Sequence, residues 1–436
     1  MKKTDREILG IALPAIVSNI TVPLLGLVDV AIVGHLGDAA YIGAIAVGGM
    51  LFNIIYWIFG FLRMGTSGMT AQLYGKQSLT EIVQMLVRAA TIGTGIALVL
   101  IALQVPIREA AFLIIRPTEA VGRLATTYFH ICIWGAPAML GLYGLTGWYI
   151  GMQNSRIPML IAITQNVVNI AASLCLVYLC GMKVEGVALG TLIAQYAGLL
   201  MGIVLWMRHY GYLWASFRRE GLFRRSVMKR FFEVNRDIFL RTLCLVAVTL
   251  FFTSAGAGQG EIILAVNTLL MQLFTLYSYI MDGFAYAGEA LSGKYIGAGD
   301  RASFSTTVRR LFGWGAVMAL LFTATYALGG QGFLNLLTDD PSVTEAAAHF
   351  FGWALLIPTA GLAAFIWDGV YIGATYTRGM LQAMGVAALF FILYYGLYPL
   401  WNNHALWLAF LVYLSARGLV QTGLKHHLYR KAFPKE

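Results

Sequence analysis

Residues 186–207 read GVALGTLIAQYAGLLMGIVLWM and contain no charged side chain over 22 positions. An α-helix needs about 20 apolar residues to cross the hydrocarbon core of a bilayer. Apolar stretches of similar length recur along the chain, separated by polar or glycine-rich breaks, and twelve of them are candidate spanning helices. The sequence therefore predicts an all-α membrane protein with twelve transmembrane helices.

The overall composition also indicates a membrane protein. Of the 436 residues, 59% are hydrophobic and only 11% are charged, and the mean hydropathy is +0.73. A soluble domain carries about 25% charged residues, so these values exclude a soluble enzyme, a disordered chain and a disulfide scaffold. The four cysteines lie in apolar segments without a C-x-x-C spacing, which predicts neither disulfides nor a metal site. The net charge of the chain is +10, which is accounted for by the basic residues that accumulate in the cytoplasmic loops of membrane proteins. We therefore expect no nucleic-acid partner.

The distribution of basic residues orients the predicted helices. If both termini are cytoplasmic, 25 of the 30 Lys and Arg residues fall in inner segments, four fall in outer segments, and Arg241 lies within a helix. Basic residues concentrate on the cytoplasmic side of membrane proteins. The sequence therefore predicts a multi-pass protein with both termini in the cytoplasm, whose first apolar segment is an uncleaved helix.

The two halves of the chain are related by a constant offset of 222 residues. The tripeptide YIG occurs at 149–151 and again at 371–373, and Arg88 corresponds to Arg310. Each half holds six predicted helices, so both enter the membrane in the same direction and the repeat is parallel. We expect two pseudo-twofold-related six-helix bundles around a central cavity, an arrangement typical of transporters that expose the cavity alternately to the two sides.

A long polar connection marks the boundary between the halves. The sequence predicts an N-terminal six-helix bundle over 1–207, a basic cytoplasmic linker over 208–235 and a C-terminal six-helix bundle over 236–436. The linker mixes aromatic and basic residues, as in 217–219 (FRR). A solvated segment lying against anionic lipid and a regulatory partner site both fit this pattern.

Four carboxylates lie within the predicted helices, where an ionised group costs about 2.5–3.5 kcal/mol or more. They are Asp29, Asp282, Glu289 and Asp368. Asp29 has no basic neighbour in sequence and follows Pro14 and Pro23, which remove backbone donors and favour a bend in the first helix. We interpret Asp29 as a proton- or cation-coupling residue, with a purely structural carboxylate as the alternative.

The other three carboxylates lie in the second half. Asp282 and Glu289 are seven residues apart and share a helix face. Arg241 lies near the cytoplasmic end of the seventh predicted helix. Together with Asp368 these residues form either a charge-balanced structural network or a proton route in the C-terminal bundle, and the sequence leaves both open.

Small polar side chains are candidates for the wall of the cavity. Asn166, Asn169 and Ser173 share one face of the fifth predicted helix, and Thr191 and Gln195 share a face of the sixth. Residues of this kind also hold helices together within membranes. Cavity lining and helix–helix contact therefore remain alternative roles for them.

The motifs, taken in order, resemble the multidrug and toxic compound extrusion (MATE) family, in its bacterial DinF-like branch, over essentially the whole chain. The segments that carry the resemblance are 28–37 (VDVAIVGHLG), 64–72 (MGTSGMTAQ), 166–169 (NVVN), 282–291 (DGFAYAGEAL) and 368–375 (DGVYIGAT). The resemblance implies an antiporter of the bacterial cytoplasmic membrane that exports organic cations or other amphiphiles, driven by inward H+ or Na+. We expect it to need no cofactor and to function as a monomer.

The resemblance also implies roles for individual residues. Asp29 would take the coupling cation, with Asn169 and Thr191 grouped around it, and the first helix would bend at Pro14. Some prokaryotic relatives carry a second aspartate where this chain has Ser173. A single carboxylate among neutral partners favours H+, although amide, hydroxyl and carboxylate oxygens could also hold Na+.

The sequence is less consistent with three other functions, those of a flippase, an enzyme and a channel. A lipid-linked sugar flippase of related architecture would be expected to line its cavity with cations, and Arg241 is the lone candidate at mid-membrane depth. The chain has no GxxxxGK[ST], HExxH or GxSxG motif, which argues against direct ATP use and against an enzyme. The two-bundle repeat argues against a channel.

Overall fold

The computed structural model describes residues 3–338 and 340–434. Within these ranges the chain is helical, without strands, and twelve helical stretches are long and apolar enough to cross a membrane. This confirms the predicted fold class and the number of spanning helices.

The described part of the chain contains sixteen α-helices, of which fifteen build the twelve spans and α5 lies outside them. The first half contains α1 Lys3–Gly34, α2 Ala39–Phe59, α3 Phe61–Gly75, α4 Leu79–Ala102, α5 Gln104–Ile115, α6 Glu119–Cys132, α7 Ala136–Gly151, α8 Arg156–Leu174 and α9 Val184–Tyr210. The second half contains α10 Arg225–Ala257, α11 Glu261–Gly297, α12 Arg301–Leu337, α13 Pro341–Gly373, α14 Thr377–Leu389, α15 Ile392–Trp401 and α16 Asn403–Ala432.

Several spans are interrupted helices. A 3-10 turn at Ile133–Gly135 separates α6 from α7, where Pro137 occupies the first turn of α7 and supplies no backbone donor. A π-helical turn at Cys175–Leu179 ends the span begun by α8. At the first interruption the Tyr196 hydroxyl donates to the Trp134 carbonyl at 2.8 Å, and such side-chain bonds let membrane helices tolerate irregular geometry.

The described residues form two compact units. The first unit is Val17–Phe231, and the second unit comprises the residues up to Ile16 and from Phe232 onward. The helix α1 therefore contributes its first part, including Pro14, to the second unit and its remainder, including Asp29, to the first. The predicted N-terminal bundle, by contrast, placed all of α1 with the first half.

The start of α1 is held by contacts within the second unit. The Trp314 indole nitrogen donates to an Asp5 carboxylate oxygen at 3.3 Å, and Arg310 lies 3.9 Å from the other oxygen. The Tyr295 hydroxyl donates to Glu7 at 2.7 Å. These polar contacts explain why the first residues of α1 group with the second unit.

The central segment is held against α4 in a similar way. The Gln84 amide donates to the carbonyls of Arg218 and Glu220 at 2.7 and 2.9 Å. The guanidinium of Arg88 donates twice to the Leu222 carbonyl, at 3.1 and 2.8 Å. The region predicted as a linker is therefore bound to the first unit over these residues.

The sequence repeat is reproduced in helix packing within each unit. The Cα of Gly147 faces the Arg63 carbonyl so closely that a Cβ would clash, and Gly369 faces the Ala285 carbonyl in the same way. Both pairs are separated by the repeat offset of 222 residues. The absence of a side chain lets α7 approach α3, and α13 approach α11, at close range.

A methyl group at this close approach should destabilise the fold. We expect Gly369→Ala to lower the free energy of unfolding by about 1–3 kcal/mol, because its Cβ would overlap backbone atoms that cannot rotate away. The control is Gly385→Ala in α14, where nothing lies within 4 Å of the added Cβ. That change should be neutral or stabilise by up to about 1 kcal/mol through helix propensity. Unfolding of both variants in detergent, by SDS titration, measures the difference, and equal effects would contradict it.

Candidate functional site

Asp29 lies on the part of α1 that belongs to the first unit, and its side chain is only 6% exposed. Tyr128 and Cys132 on α6 are close enough to interact with it electrostatically. Its oxygen Oδ1 is buried and has no hydrogen-bond partner among the described residues. The carboxyl group therefore lies among neutral groups rather than beside an arginine or lysine.

The other two predicted coupling residues lie together. Thr191 accepts a hydrogen bond from the Asn169 amide at 3.0 Å. The Tyr128 side chain interacts with Thr191 and is close enough to Asp29 for an electrostatic interaction. The structure thus brings Asn169 and Thr191 together and places Tyr128 near both Thr191 and Asp29. Both Tyr128 and Asn169 are buried.

Ser173 and Gln195 lie near helix positions that lack side chains. The Ser173 hydroxyl occupies the space beside Gly190, where a Cβ would clash with it, and the serine is fully buried. The Gln195 amide lies against Gly135 in the same manner and interacts with Tyr56. The oxygens Ser173 Oγ and Gln195 Oε1 have no hydrogen-bond partner among the described residues.

Asn166 has a different role from its helix neighbours. Its amide nitrogen donates to the Thr21 carbonyl of α1 at 3.1 Å, and its side chain is only partly buried. This contact ties α8 to α1 between Pro14 and Asp29. The structure therefore supports helix–helix contact for Asn166, the second of the two roles left open by the sequence.

The predicted hinge residue Pro14 lies inside α1, which is helical on both sides of it. The limit between the two units falls between Ile16 and Val17, two residues further along α1. Proline removes a backbone hydrogen bond and weakens a helix locally. Pro14, one of the two prolines of α1, therefore lies close to the change of unit.

Three oxygens in this cluster are buried without a hydrogen-bond donor in the described part of the chain. They belong to Asp29, Asn169 and Ser173. A buried oxygen without a partner is costly. These three oxygens are therefore suited to reversible binding of a positive charge, either a proton on the Asp29 carboxylate or a small cation. No group of three or more His, Cys, Asp or Glu residues that could hold a metal ion occurs among the described residues.

The second unit holds a buried charge cluster around Asp368. One carboxylate oxygen accepts from Arg241 and, at 2.6 Å, from Arg417, and the other accepts from Gln421 at 2.6 Å. All four side chains are at least nine-tenths buried. The carboxylate therefore has charge-assisted hydrogen bonds from two cations and one from an amide.

The remaining members of the predicted C-terminal network lie elsewhere on α11. Glu289 is buried and Asp282 is partly buried. The structure brings Asp368 and Arg241 together and adds Arg417 and Gln421 of α16 to them.

Comparison with known proteins identifies the family. The MatE family model matches residues 14–175 and 238–395 of the chain, which is most of both halves. The chain belongs to the MatE family. Members of this family are transporters and not enzymes. The resemblance seen in the sequence motifs is thereby confirmed.

Individual MATE relatives cover nearly the full chain. DNA damage-inducible protein F of Escherichia coli is 38% identical over 96% of this chain and 91% of its own length. Multidrug export protein MepA of Staphylococcus aureus is 20% identical over 87% of this chain and 82% of its own. The crystal structure of the Vibrio cholerae MATE transporter VcmN in the bent form aligns with a TM-score of 0.87 at 16% identity, covering 98% of both chains. The fold is that of a MATE transporter.

Three residues of these sites were missed by sequence reasoning. Tyr128 looks like any core aromatic residue on a membrane helix. Arg417 was counted among the cytoplasmic charges because it lies near the end of the chain, but the structure buries it beside Asp368. Gln421 is one helical turn further along α16, so the Arg417–Gln421 spacing was the available signal.

Proposed function

We propose that this MATE protein is a secondary active multidrug efflux antiporter that exports organic cations and other amphiphiles in exchange for inward H+. The name of the staphylococcal relative, a multidrug export protein, supports the transported class. The observation that carries the coupling proposal is the Asp29 carboxyl, which is buried near the Tyr128 hydroxyl and the Cys132 thiol and has no cationic partner among the described residues.

Protonation of Asp29 from the external side would neutralise a charge that the site solvates poorly. The consequence would be a bend of α1 near Pro14, which displaces the substrate outward. Proton and substrate binding must then oppose each other to the same extent, because coupling between two sites is reciprocal. Asn169 and Thr191 would orient the carboxyl group through Tyr128.

The transport cycle fits the division of the chain into two related six-helix bundles, over 1–207 and 236–436, that rock about the basic region 208–235. We place the protein in the bacterial cytoplasmic membrane with both termini in the cytoplasm, from the concentration of basic residues in the inner segments. We further propose that a single chain is the working unit, since each chain contains both halves of the repeat.

Sodium is the second candidate for the coupling ion. The unpaired oxygens of Asn169 and Ser173 could join the Asp29 carboxylate as ligands, since hard cations prefer oxygen. A single carboxylate, however, supplies less charge than a sodium site with two acids. The rival lipid-linked sugar flippase gains less support, because Arg241, its candidate mid-membrane cation, is engaged by Asp368.

The choice of ion is tested with the wild-type protein in proteoliposomes. Uptake of a fluorescent organic cation is driven either by an outwardly directed pH gradient without sodium or by an outwardly directed sodium gradient at equal pH. We expect the pH gradient alone to drive transport at close to the full rate, and the sodium gradient alone to drive none above that of protein-free liposomes. Transport that requires sodium would replace H+ by Na+, and no transport with either gradient would favour the flippase.

A further inference from the structure

A cavity of about 520 Å³ lies within the first unit, remote in sequence from Asp29. It is bounded by the end of α3, the start of α4 and the segment that leads into α10. Its charged lining residues are Lys76, Glu81, Arg88, Glu220, Arg224 and Arg230. Four cations against two carboxylates give the cavity a net charge of +2. The positive-inside distribution places it at the cytoplasmic surface.

Two of the four cations build the wall of the cavity. The side chain of Arg88 is only 2% exposed, and it donates to the Leu222 carbonyl through both Nε and Nη2. Arg230 donates to the Gln72 amide oxygen at 2.8 Å. These contacts fix the central segment over α3 and α4, so the cavity is a built feature of the unit rather than a gap between loose loops.

The other two cations are free to bind a ligand. Lys76 and Arg224 are exposed, and no side-chain hydrogen bond or ion pair is described for either among the residues that the structure covers. The residue that corresponds to Lys76 in the second half of the repeat is Ala298, so this position of the repeat does not need a cation for folding. Two cationic side chains without partners therefore face one concave site.

Backbone groups add to the positive potential of the cavity. α4 begins at Leu79 and α10 begins at Arg225, and residues of both first turns, Thr80 and Ser226, line the cavity. The first amide groups of a helix lack intrahelical acceptors and favour an anion. The converging donors thus comprise an ammonium, a guanidinium and helix amides, which match the several oxygens of a phosphate group.

The border of the cavity is apolar. Leu79 and Phe223, which adjoin lining residues in sequence, are 46% and 52% exposed. Large exposed apolar side chains beside a basic pocket on the cytoplasmic side are typical of sites for anionic lipid headgroups, whose acyl chains need an apolar surface. The volume also falls within the range of about 300–1,000 Å³ for small-molecule sites.

We propose that this cavity binds the phosphate group of an anionic phospholipid or of a soluble phosphate ester, with Lys76 and Arg224 as the side chains that contact it. The site is separate from the coupling cluster at Asp29 and does not depend on which substrate or ion is transported. Its occupant would hold the central segment on the first unit by bridging Arg224 to Lys76.

The test measures thermal unfolding of the purified full-length protein in detergent with three added probes in separate arms. They are dioleoylphosphatidylglycerol, dioleoylphosphatidylcholine and glycerol 3-phosphate. The pocket variant is Lys76→Gln combined with Arg224→Gln. The control, Arg208→Gln combined with Arg219→Gln, removes the same charge from exposed positions outside the cavity.

We expect phosphatidylglycerol to raise the Tm of wild type and control with the same half-saturating concentration. The half-saturating lipid concentration of the pocket variant should be at least about tenfold higher, because two charged contacts are lost. The same variant-specific loss with glycerol 3-phosphate would identify a soluble phosphate ester as a sufficient ligand. Three results would overturn the proposal. They are no Tm shift with either anionic probe, an equal loss of lipid affinity in both double variants, or a Tm shift with phosphatidylcholine equal to that with phosphatidylglycerol.

Discussion

Asp29→Asn is expected to abolish transport driven by a pH gradient while leaving the protein folded. The asparagine keeps the size and hydrogen-bonding capacity of the side chain but cannot take up or release a proton. Uptake of a fluorescent organic cation by proteoliposomes should fall to the rate of protein-free liposomes. Equilibrium binding of the same cation should be as weak at every pH as it is in the protonated wild type, and it should no longer change as the pH is lowered, because asparagine holds the site in the neutral form.

Two further variants make this result specific to Asp29. Asp38→Asn is the matched control, since Asp38 caps α2 by accepting from the Ala40 amide at 2.8 Å and asparagine caps a helix equally well. It should transport like the wild type. Asp29→Glu retains an ionisable group and should keep part of the activity. Transport by Asp29→Asn at the full wild-type rate under a pH gradient would contradict the proposed mechanism.

The stability of Asp29→Asn offers an independent check. Asp29 is 6% exposed, and no cation is described beside it in the structure. An ionised carboxylate in such a place lowers stability, because charge is costly within a bilayer. Removing the charge should therefore leave the free energy of unfolding unchanged or raise it. A function-bearing residue of this kind opposes folding rather than supporting it.

The sequence predicted the twelve helices because the bilayer imposes one strong requirement, a long apolar stretch for each span. It also predicted the repeat, and the paired glycines Gly147 and Gly369 show that this repeat has a steric basis. The sequence did not indicate the break between α6 and α7, although Pro137 was visible, since a proline can kink or end a helix and only neighbouring contacts decide which.

The features that the sequence did not predict depend on contacts between residues far apart in the chain. Arg88 and Leu222 are 134 residues apart, and nothing local in either segment indicates that they meet. A functional role for Asp29 could be predicted because an acid without a basic neighbour in an apolar helix has few structural explanations. Tyr128, which lies near both Asp29 and Thr191, was not apparent, because a buried tyrosine on a membrane helix is usually part of the core.

Asp368→Asn should have the opposite effect on stability from Asp29→Asn. The change leaves Arg241 and Arg417 buried with no carboxylate between them. Breaking a buried ion pair by removing one partner typically costs about 3–5 kcal/mol. We expect the free energy of unfolding to fall by that amount, with low yield of folded protein. SDS-titrated unfolding measures it, with Asp300→Asn as the control. Asp300 caps α12 by accepting from the Ser303 amide at 2.9 Å, and hydrogen bonds from the Ser303 hydroxyl and amide hold the pKa of its carboxyl below the usual range.

The order of effects within the cluster separates a structural role from a proton route. Arg417→Gln leaves a neutral Asp368–Arg241 pair, whereas Asp368→Asn leaves two uncompensated cations, so the aspartate substitution should be the more destabilising of the two. The fraction of Asp368→Asn that does fold should still couple transport to the pH gradient, because a carboxylate held by two guanidinium groups and an amide stays ionised through the cycle. If the folded variant instead lost pH-driven transport while its stability was unchanged, Asp368 would belong to the proton route and Asp29 would not act alone.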